Sequence, residues 1–210
     1  MLDPLRIGCQ AVRRTIQRGV AVTGTMIALV AAIAQQAPAA TVITTYSPFD
    51  AGGVLRHSLR ATPAFGGACV TGSFVVPGDT VYRCFSGDLI RDPCYLDEAQ
   101  SNRDRSVVVC VDSPWAAAAV RLRVTGGLDN ASAARPGGPP WALQLASHAH
   151  CVWIEGVSGF ARGRRITYRC GNGRLLLGSP DRRRQTWQIT QIKGPTDAAP
   201  RRVAVARAWH

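Results

Sequence analysis

The chain has 210 residues, 46% of them apolar and 18% charged, and 25 Lys+Arg against 13 Asp+Glu give a formal net charge of +12. The apolar content is enough for a hydrophobic core and excludes the intrinsically disordered classes. The length excludes a large multidomain protein and leaves room for one or two domains.

Residues 1–39 predict an export signal. Arg6, Arg13, Arg14 and Arg18 precede an uncharged apolar run at 20–34, and a small-residue stretch at 37–39 offers a cleavage site. As a helix the run spans about 22 Å, short of the roughly 30 Å hydrocarbon core of a bilayer. A cleaved signal is therefore favoured over an uncleaved signal-anchor, and the predicted location is secreted or in the cell envelope.

The first part of the exported chain is predicted to divide into a weakly structured, loosely tethered arm at 40–66, where the residues are weakly patterned, and a disulfide-rich β part at 67–133. Apolar, β-branched runs predict strands, and Pro77-Gly78-Asp79 predicts a turn. One helical turn is expected at 116–119, after Pro114. The predicted strands are 70–76, 80–85, 107–111 and 120–124. Three prolines and two glycines at 134–140 predict a linker or crossing loop.

The last part, 141–210, alternates apolar and polar residues with a period of two, as half-buried strands do. Strands are expected at 141–146, 152–154, 166–170, 174–177, 186–192 and 203–209. Turns are expected at Gly171-Asn172-Gly173 and at 178–181. The predicted fold is mainly β, a disulfide-stapled antiparallel meander, small barrel or sandwich with little helix apart from the signal.

Six cysteines remain once Cys9 is removed with the signal, an even number for an oxidising compartment. No two are spaced as Cys-x-x-Cys, so a zinc site or a thioredoxin-type centre is poorly supported. Six cysteines allow 15 connectivities. We favour the three local pairs, since each would staple one hairpin or adjacent turn: Cys69 with Cys84, Cys94 with Cys110, and Cys151 with Cys170.

Several short motifs resemble a family of exported, cysteine-rich actinobacterial proteins with a W/Y-R-C … D-P-C-F/Y signature. The motifs are Tyr82-Arg83-Cys84, Asp92-Pro93-Cys94-Tyr95, Val109-Cys110, Pro140-Trp141-Ala142-Leu143, Tyr168-Arg169-Cys170 and 177–181 before Trp187. Asp88 and Gly126-Gly127 depart from the family pattern. The resemblance implies export, disulfides and β structure, and it implies no catalytic residue.

No motif of a known catalytic class is present, and no cofactor is predicted. His148 and His150 are two apart and would share a strand face, but no third metal ligand accompanies them, so no metal site is predicted. An acidic stretch fits no calcium-loop pattern. It contains Asp88, Asp92, Asp97, Glu98 and Asp104.

The positive charge is concentrated in the last third of the chain. Residues 40–135 hold nine Arg and nine acids, whereas residues 136–210 hold eleven Arg and one Lys against three acids, a net of +9. The predicted anion-binding residues are Arg162, Arg164, Arg165, Arg169, Arg174, Arg182, Arg183 and Arg184. The competing interpretation is that they are solubilising turn residues multiplied by codon bias, since 24 of the 25 basic residues are Arg.

The predicted function is a non-enzymatic cell-envelope or extracellular interaction module. Its expected partner is an anionic cell-wall polymer or an envelope protein, and contact with a membrane is expected only through an uncleaved signal-anchor. Nucleic acid is disfavoured for an exported chain. The alternative is a secreted hydrolase or hydrolase inhibitor with an unrecognised site near the acidic stretch. Trp115, Trp141 or Tyr95 would be the anchors if the partner is a protein.

Overall fold

A computed structural model describes residues 39–101, 106–125, 128 and 138–210. The predicted signal up to residue 38, Asp104 and most of the predicted linker lie outside the described residues. The described chain is mainly β, as predicted, and its strands form two closed sheets, here called the first and second barrels. Its one helical element is a 3-10 turn at Glu98–Gln100. No helix in the described ranges is long and apolar enough to cross a membrane.

The first barrel is a five-stranded closed sheet. Its strands are β2 (Arg60–Gly72), β3 (Val81–Ser86), β4 (Leu89–Leu96), β5 (Ser106–Val111) and β6 (Ala118–Val124). Successive strands pair antiparallel, and β6 closes the sheet by pairing parallel to β2. Closure leaves no free edge among these strands, which protects them from pairing with another chain.

The second barrel is a closed sheet of six strands, in which the last strand of the chain pairs with the strand that begins at Ala142. Its strands are β7 (Ala142–Leu145), β8 (His150–Trp153), β10 (Arg164–Cys170), β11 (Leu175–Asp181), β12 (Gln188–Ile192) and β13 (Arg201–Trp209). A two-residue strand, β9 (Phe160–Ala161), pairs with β10, and β1 (Val42–Thr44) pairs parallel to β13. The strands predicted in 141–210 are all present, and the Gly171–Gly173 turn joins β10 to β11 as predicted.

The three largest clusters of buried residues lie one in each barrel and a third between them, and a smaller fourth cluster lies in the second barrel. The first barrel buries Val108, Leu122 and the cysteines of β2 to β5. The second barrel buries Leu143, Tyr168, Leu176, Ile189 and Val205, among others. The third cluster joins strand residues of the first barrel to Trp141 and Ala142 of the second. This shared cluster holds the two barrels together, because apolar area removed from water stabilises the contact in proportion to its size.

All three predicted cysteine pairs are disulfides: Cys69–Cys84, Cys94–Cys110 and Cys151–Cys170. In each pair the two cysteines lie directly opposite one another on neighbouring strands. The Sγ atoms of Cys84, Cys94 and Cys110 lie within 4.8 Å of one another because two disulfides sit side by side. Each disulfide closes a short loop and contributes about 3 kcal/mol by restricting the unfolded chain.

Three local predictions are corrected by the structure. Residues 116–119 form no helical turn, since β6 begins at Ala118 to meet β5 and β2. Residues 178–181 are not a turn, because β11 continues through them with an irregular register against β12. The arm at 40–66 is not loose, since it contains β1, half of β2 and the buried side chains of Tyr46 and Leu59. Long-range pairing overrides local sequence preference at each of these places.

Candidate functional site

The eight predicted arginines do not converge on one site. Arg164, Arg182 and Arg183 line an open depression of about 660 Å³ on the second barrel, together with Arg202. We call this the arginine groove, which is lined by Arg164, Ser179, Pro180, Asp181, Arg182, Arg183 and Arg202. Four guanidinium groups and one carboxylate give it a formal charge of +3. Arg202 is not among the eight arginines predicted from the sequence.

Arg164 reaches the groove by lying across strand β11. Its guanidinium donates hydrogen bonds to the carbonyl of Leu177 (3.0 Å) and to the hydroxyl of Thr190 on β12 (2.9 Å). Gly178 makes this path possible, because a Cβ atom there would come within 2.8 Å of an Arg164 nitrogen. The backbone of Gly178 has a φ of +66°, which favours glycine independently of the space.

Asp181 organises the rest of the groove. Its carboxylate pairs with Arg183 at 3.3 Å and with Arg202 at 3.4 Å, and it accepts the backbone N–H of Arg183. That hydrogen bond and the two arginines lower the pKa of Asp181 below its ordinary value. The Arg183 side chain is 91% exposed, so most of its donors face solvent. The groove thus offers forked, cationic donors of the kind that bind phosphate and carboxylate groups.

Arg182 is held at the rim by two contacts. It donates a hydrogen bond to the carbonyl of Gly138 at 2.8 Å, and its guanidinium lies 4.7 Å from the centre of the Trp187 ring.

The other predicted arginines lie elsewhere on the surface. Arg162 donates to the carbonyls of Asp197 and Ala198, and Arg169 is exposed on β10. Arg174 is half-buried after the β10–β11 turn, and Arg184 is exposed before β12. Arg165 belongs to a second site.

The second site lies where the barrels meet. A cavity of about 130 Å³ is lined by Phe74, Arg83, Ile90, Asp92, Trp153, Glu155, Gly156 and Arg165. We call it the junction pocket. The first four residues come from the first barrel and its β2–β3 connection, and the others come from the second barrel.

Asp92 forms the fixed side of the junction pocket. Its carboxylate accepts hydrogen bonds from the Ser73 hydroxyl and, at 3.0 Å, from the backbone N–H of Phe74. The residue is only 4% exposed. Burial raises the pKa of Asp92 to about 6 in spite of these hydrogen bonds and the nearby Arg83.

Glu155 faces Asp92 from the second barrel. One of its carboxylate oxygens accepts the backbone N–H of Asp92 at 3.1 Å, a hydrogen bond that connects the two barrels. Burial raises the pKa of Glu155 to about 7, and the charges of Asp92 and Asp112 act in the same direction. Both carboxyl groups of the pocket therefore exchange protons near neutral pH.

Two arginines complete the pocket, and aromatic rings hold each of them. The Arg83 guanidinium lies 4.4 Å from the Phe74 ring centre, and that of Arg165 lies 5.3 Å from the Trp153 ring centre. Although all four charged groups line one small cavity, no ion pair within 4.0 Å joins either arginine to Asp92 or Glu155. The buried Nε of Arg83 has no hydrogen-bond partner.

The remaining sequence candidates separate in space. Of the acidic stretch, Asp97 pairs with Arg121, while Asp88 and Glu98 are exposed away from the pocket lining. His148 lies exposed in the β7–β8 turn with a φ of +63°, and the exposed His150 stacks on Trp115 at 4.2 Å.

Two of the three aromatic residues considered as protein-contact anchors are core residues, the more common role for such side chains, and only the third is exposed. Trp141 is 1% exposed and Tyr95 is 6% exposed, whereas Trp115 is 39% exposed.

Sequence reasoning missed the junction pocket. Its signals were present: Arg83 and Asp92 stand in the two short signature motifs, and Glu155 is one of only two glutamates in the chain. What could not be read is that Glu155 contacts a residue 63 positions earlier.

No family model, curated protein or solved structure matches this chain. The resemblance to exported actinobacterial proteins therefore stays a prediction, and function is argued below from the two sites alone.

Proposed function

We propose that the chain is an exported, non-enzymatic module of the cell envelope or extracellular space that binds an anionic envelope polymer through the arginine groove. The observation that supports this most directly is the groove itself, where four guanidinium groups share one open surface with a single carboxylate. Guanidinium groups bind phosphate and carboxylate oxygens through paired hydrogen bonds. An open depression suits a polymer, because a long chain can lie across the surface and does not have to enter the protein.

Two further observations support the outside of the cell as the place of action. Residues 1–39 have the order of charge, apolar run and small residues that an export signal has. The three disulfides are stable in an oxidising compartment and are rare in the cytosol. Terminal sequencing of the protein recovered outside cells is expected to start near residue 40. Recovery with an intact N-terminus in the membrane fraction would indicate a signal-anchor instead.

Binding to defined polymers tests the groove. We expect the purified chain to bind poly(glycerol phosphate) or polygalacturonate, with an affinity that falls about tenfold between 100 and 400 mM salt, because the contacts are exposed charges. Comparing the two polymers separates phosphate from carboxylate recognition. Binding to neither polymer, or binding that ignores salt, would contradict the proposal.

Matched variants separate the groove from diffuse positive charge. The double variant Arg183→Gln/Arg202→Gln is expected to weaken binding about tenfold, and Asp181→Asn to strengthen it, because the groove loses its one negative charge. The control Arg169→Gln/Arg174→Gln removes the same charge outside the groove and is expected to weaken binding less than about twofold. Equal losses in the two double variants would favour solubilising arginines with no dedicated site.

The hydrolase alternative is not favoured by the geometry. The junction pocket contains a carboxyl pair, but a cavity of about 130 Å³ is too small for a polymer chain. Hydrogen bonds from Ser73 and Phe74 hold both oxygens of the buried Asp92 in place, so this carboxylate can still accept a hydrogen bond but has little freedom to move toward a substrate carbon.

A further inference from the structure

The junction pocket contains opposite charges that do not satisfy one another. Asp92 and Glu155 line it together with Arg83 and Arg165, yet no ion pair within 4.0 Å joins these acids to these arginines. Asp92 is buried, Glu155 and Arg83 are half-buried, and Arg165 is exposed at the mouth of the pocket. Charged groups that lose part of their contact with water are more stable when they are paired. A pocket with both signs of charge and a gap between them therefore suits a molecule that brings both signs itself.

The acidic side of the pocket has acceptors to spare. One Glu155 oxygen accepts the N–H of Asp92, and the other takes no hydrogen bond from any residue that the structure describes. Each oxygen of the Asp92 carboxylate accepts one hydrogen bond and has room for a second. Fixed by these bonds, the two groups present oxygens to a donor that carries several N–H groups.

The basic side has donors to spare. The Nε of Arg83 is buried without a partner. Arg165 uses Nε and one terminal nitrogen to bind Ser158 and the carbonyl of Gly156, and its other terminal nitrogen bonds to no residue in the described ranges. The Arg83 guanidinium lies 4.4 Å from the Phe74 ring centre and that of Arg165 lies 5.3 Å from the Trp153 ring centre, contacts that favour these positions of the two cations.

The size of the cavity limits the ligand. A volume of about 130 Å³ equals about four water molecules, enough for an organic molecule of five or six heavy atoms. A simple anion of that size would be attracted by the two arginines but repelled by the two carboxylates. A simple cation would be attracted by the carboxylates but repelled by the arginines. A molecule with an ammonium and a carboxylate a few bonds apart meets both sides.

We propose that the junction pocket binds a small zwitterion, an α-amino acid with a hydrogen or methyl side chain. Its ammonium group lies on the side of Asp92 and Glu155, and its carboxylate lies on the side of Arg83 and Arg165. This site is separate in residues and in ligand from the arginine groove, so either assignment stands without the other.

Titration calorimetry at pH 8 with glycine, alanine, acetate, methylammonium and leucine tests the assignment. We expect glycine or alanine to bind with a dissociation constant no weaker than about 1 mM, within what such small ligands reach. Acetate and methylammonium each engage one side only, and leucine exceeds the cavity, so all three should bind at least about tenfold more weakly. Absent glycine and alanine binding, or equally tight acetate binding, would overturn the proposal.

We expect Glu155→Gln, on the acidic side of the pocket, and Arg165→Gln, on the basic side, each to weaken glycine binding about tenfold. The matched controls Glu98→Gln and Arg169→Gln remove the same charges from exposed positions and should leave it unchanged. If Glu155→Gln fails to fold, Arg165→Lys is used in its place. A shift of the Trp153 indole signal when glycine is added to the wild-type chain then reports binding at the pocket. Unchanged binding in the folded pocket variants would overturn the proposal.

The pH dependence separates a zwitterion from an anion. The groups around the ligand are Asp92, Glu155, Asp112, Arg83 and Arg165. Lowering the pH to 5 protonates the two carboxyl groups, which removes the ammonium partner, so glycine should bind more weakly than at pH 8. Tighter binding of glycine at pH 5 would indicate an anion site and overturn the assignment.

Discussion

The arginine groove and the junction pocket are built from the same residue types and behave in opposite ways. In the groove, the backbone N–H of Arg183 and the paired side chains of Arg183 and Arg202 lower the pKa of Asp181. In the junction pocket, the arginines stand off from Asp92 and Glu155, whose pKa values rise to about 6 and about 7. The difference is burial. Removing a carboxylate from water raises its pKa by more than a cation beyond ion-pair distance lowers it.

This comparison teaches that the count of arginines near an acid does not determine its protonation. The groove keeps its carboxylate hydrated and ionised, which suits a surface that exchanges ions with solvent. The pocket buries Asp92, half-buries Glu155 and holds both carboxyl groups with backbone and hydroxyl donors, which suits a small site with fixed geometry.

Replacing the pocket carboxylate should cost far more stability than replacing the groove carboxylate. Asp92→Ala leaves the Ser73 hydroxyl and the Phe74 N–H without their acceptor, and each such buried loss costs about 1–3 kcal/mol, so about 3 kcal/mol is expected in total. Asp181→Ala should leave the urea midpoint almost unchanged, because its ion pairs are exposed. Similar losses in the two variants, measured by urea unfolding, would remove the contrast.

Stability should fall as the pH rises from 5 to 8. Both pocket carboxyls have folded-state pKa values above the ordinary values near 4, so the folded chain retains protons that the unfolded chain has lost. The resulting stability is complete below about pH 4 and is lost as the pH rises through about 7. Allowing for solvent screening at the partly exposed Glu155, we expect a loss of about 2 kcal/mol between pH 5 and 8.

Two variants identify the source of that pH dependence. Glu155→Gln should remove about half of the loss, when urea midpoints are compared at the two pH values. Asp181→Asn should leave it unchanged, since a lowered pKa contributes stability that is lost only at acid pH, below the range measured. A wild-type chain whose stability is flat or rises between pH 5 and 8 would contradict the pKa assignments.

The glycine that lets Arg164 cross β11 should be sensitive to a single methyl group. Gly178→Ala places a Cβ within 2.8 Å of the Arg164 guanidinium and forces alanine to a φ of +66°, so we expect a loss of about 1–2 kcal/mol and weaker polymer binding. Gly171→Ala, where no atom lies within 4 Å of the new Cβ, is the matched control. An unchanged melting temperature in Gly178→Ala would show that Arg164 is not constrained there.

The smallest stability effect is expected for the exposed groove arginines. Arg183→Gln removes a side chain that is 91% exposed, so the melting temperature should not change measurably. Polymer affinity should nevertheless fall, which would separate the function of the groove from its stability. A clear loss of melting temperature would show that the Asp181 ion pairs are structural.

The cysteine pairs and the strands of the second barrel could be predicted because their signals are local. Alternating residues mark a strand, and a Gly-Asn-Gly turn brings the two strands of one hairpin together. The local preferences failed where distant strands impose their own order. The helical turn expected at 116–119 is absent because β6, which begins at Ala118, pairs with β2 and β5. The turn expected at 178–181 is absent because β11 continues alongside β12.

The sequence alone established the β class, six cysteines available for disulfides with a preference for local pairs, and the separation of a neutral first part from a basic second part. All of these follow from neighbours along the chain or from composition. Only the tertiary structure decided that the arginines divide between two sites and that Glu155 meets Asp92 across the barrel junction. The physical reason is that ionisation and pairing depend on burial and on distances in space, and both arise only when the barrels close and pack.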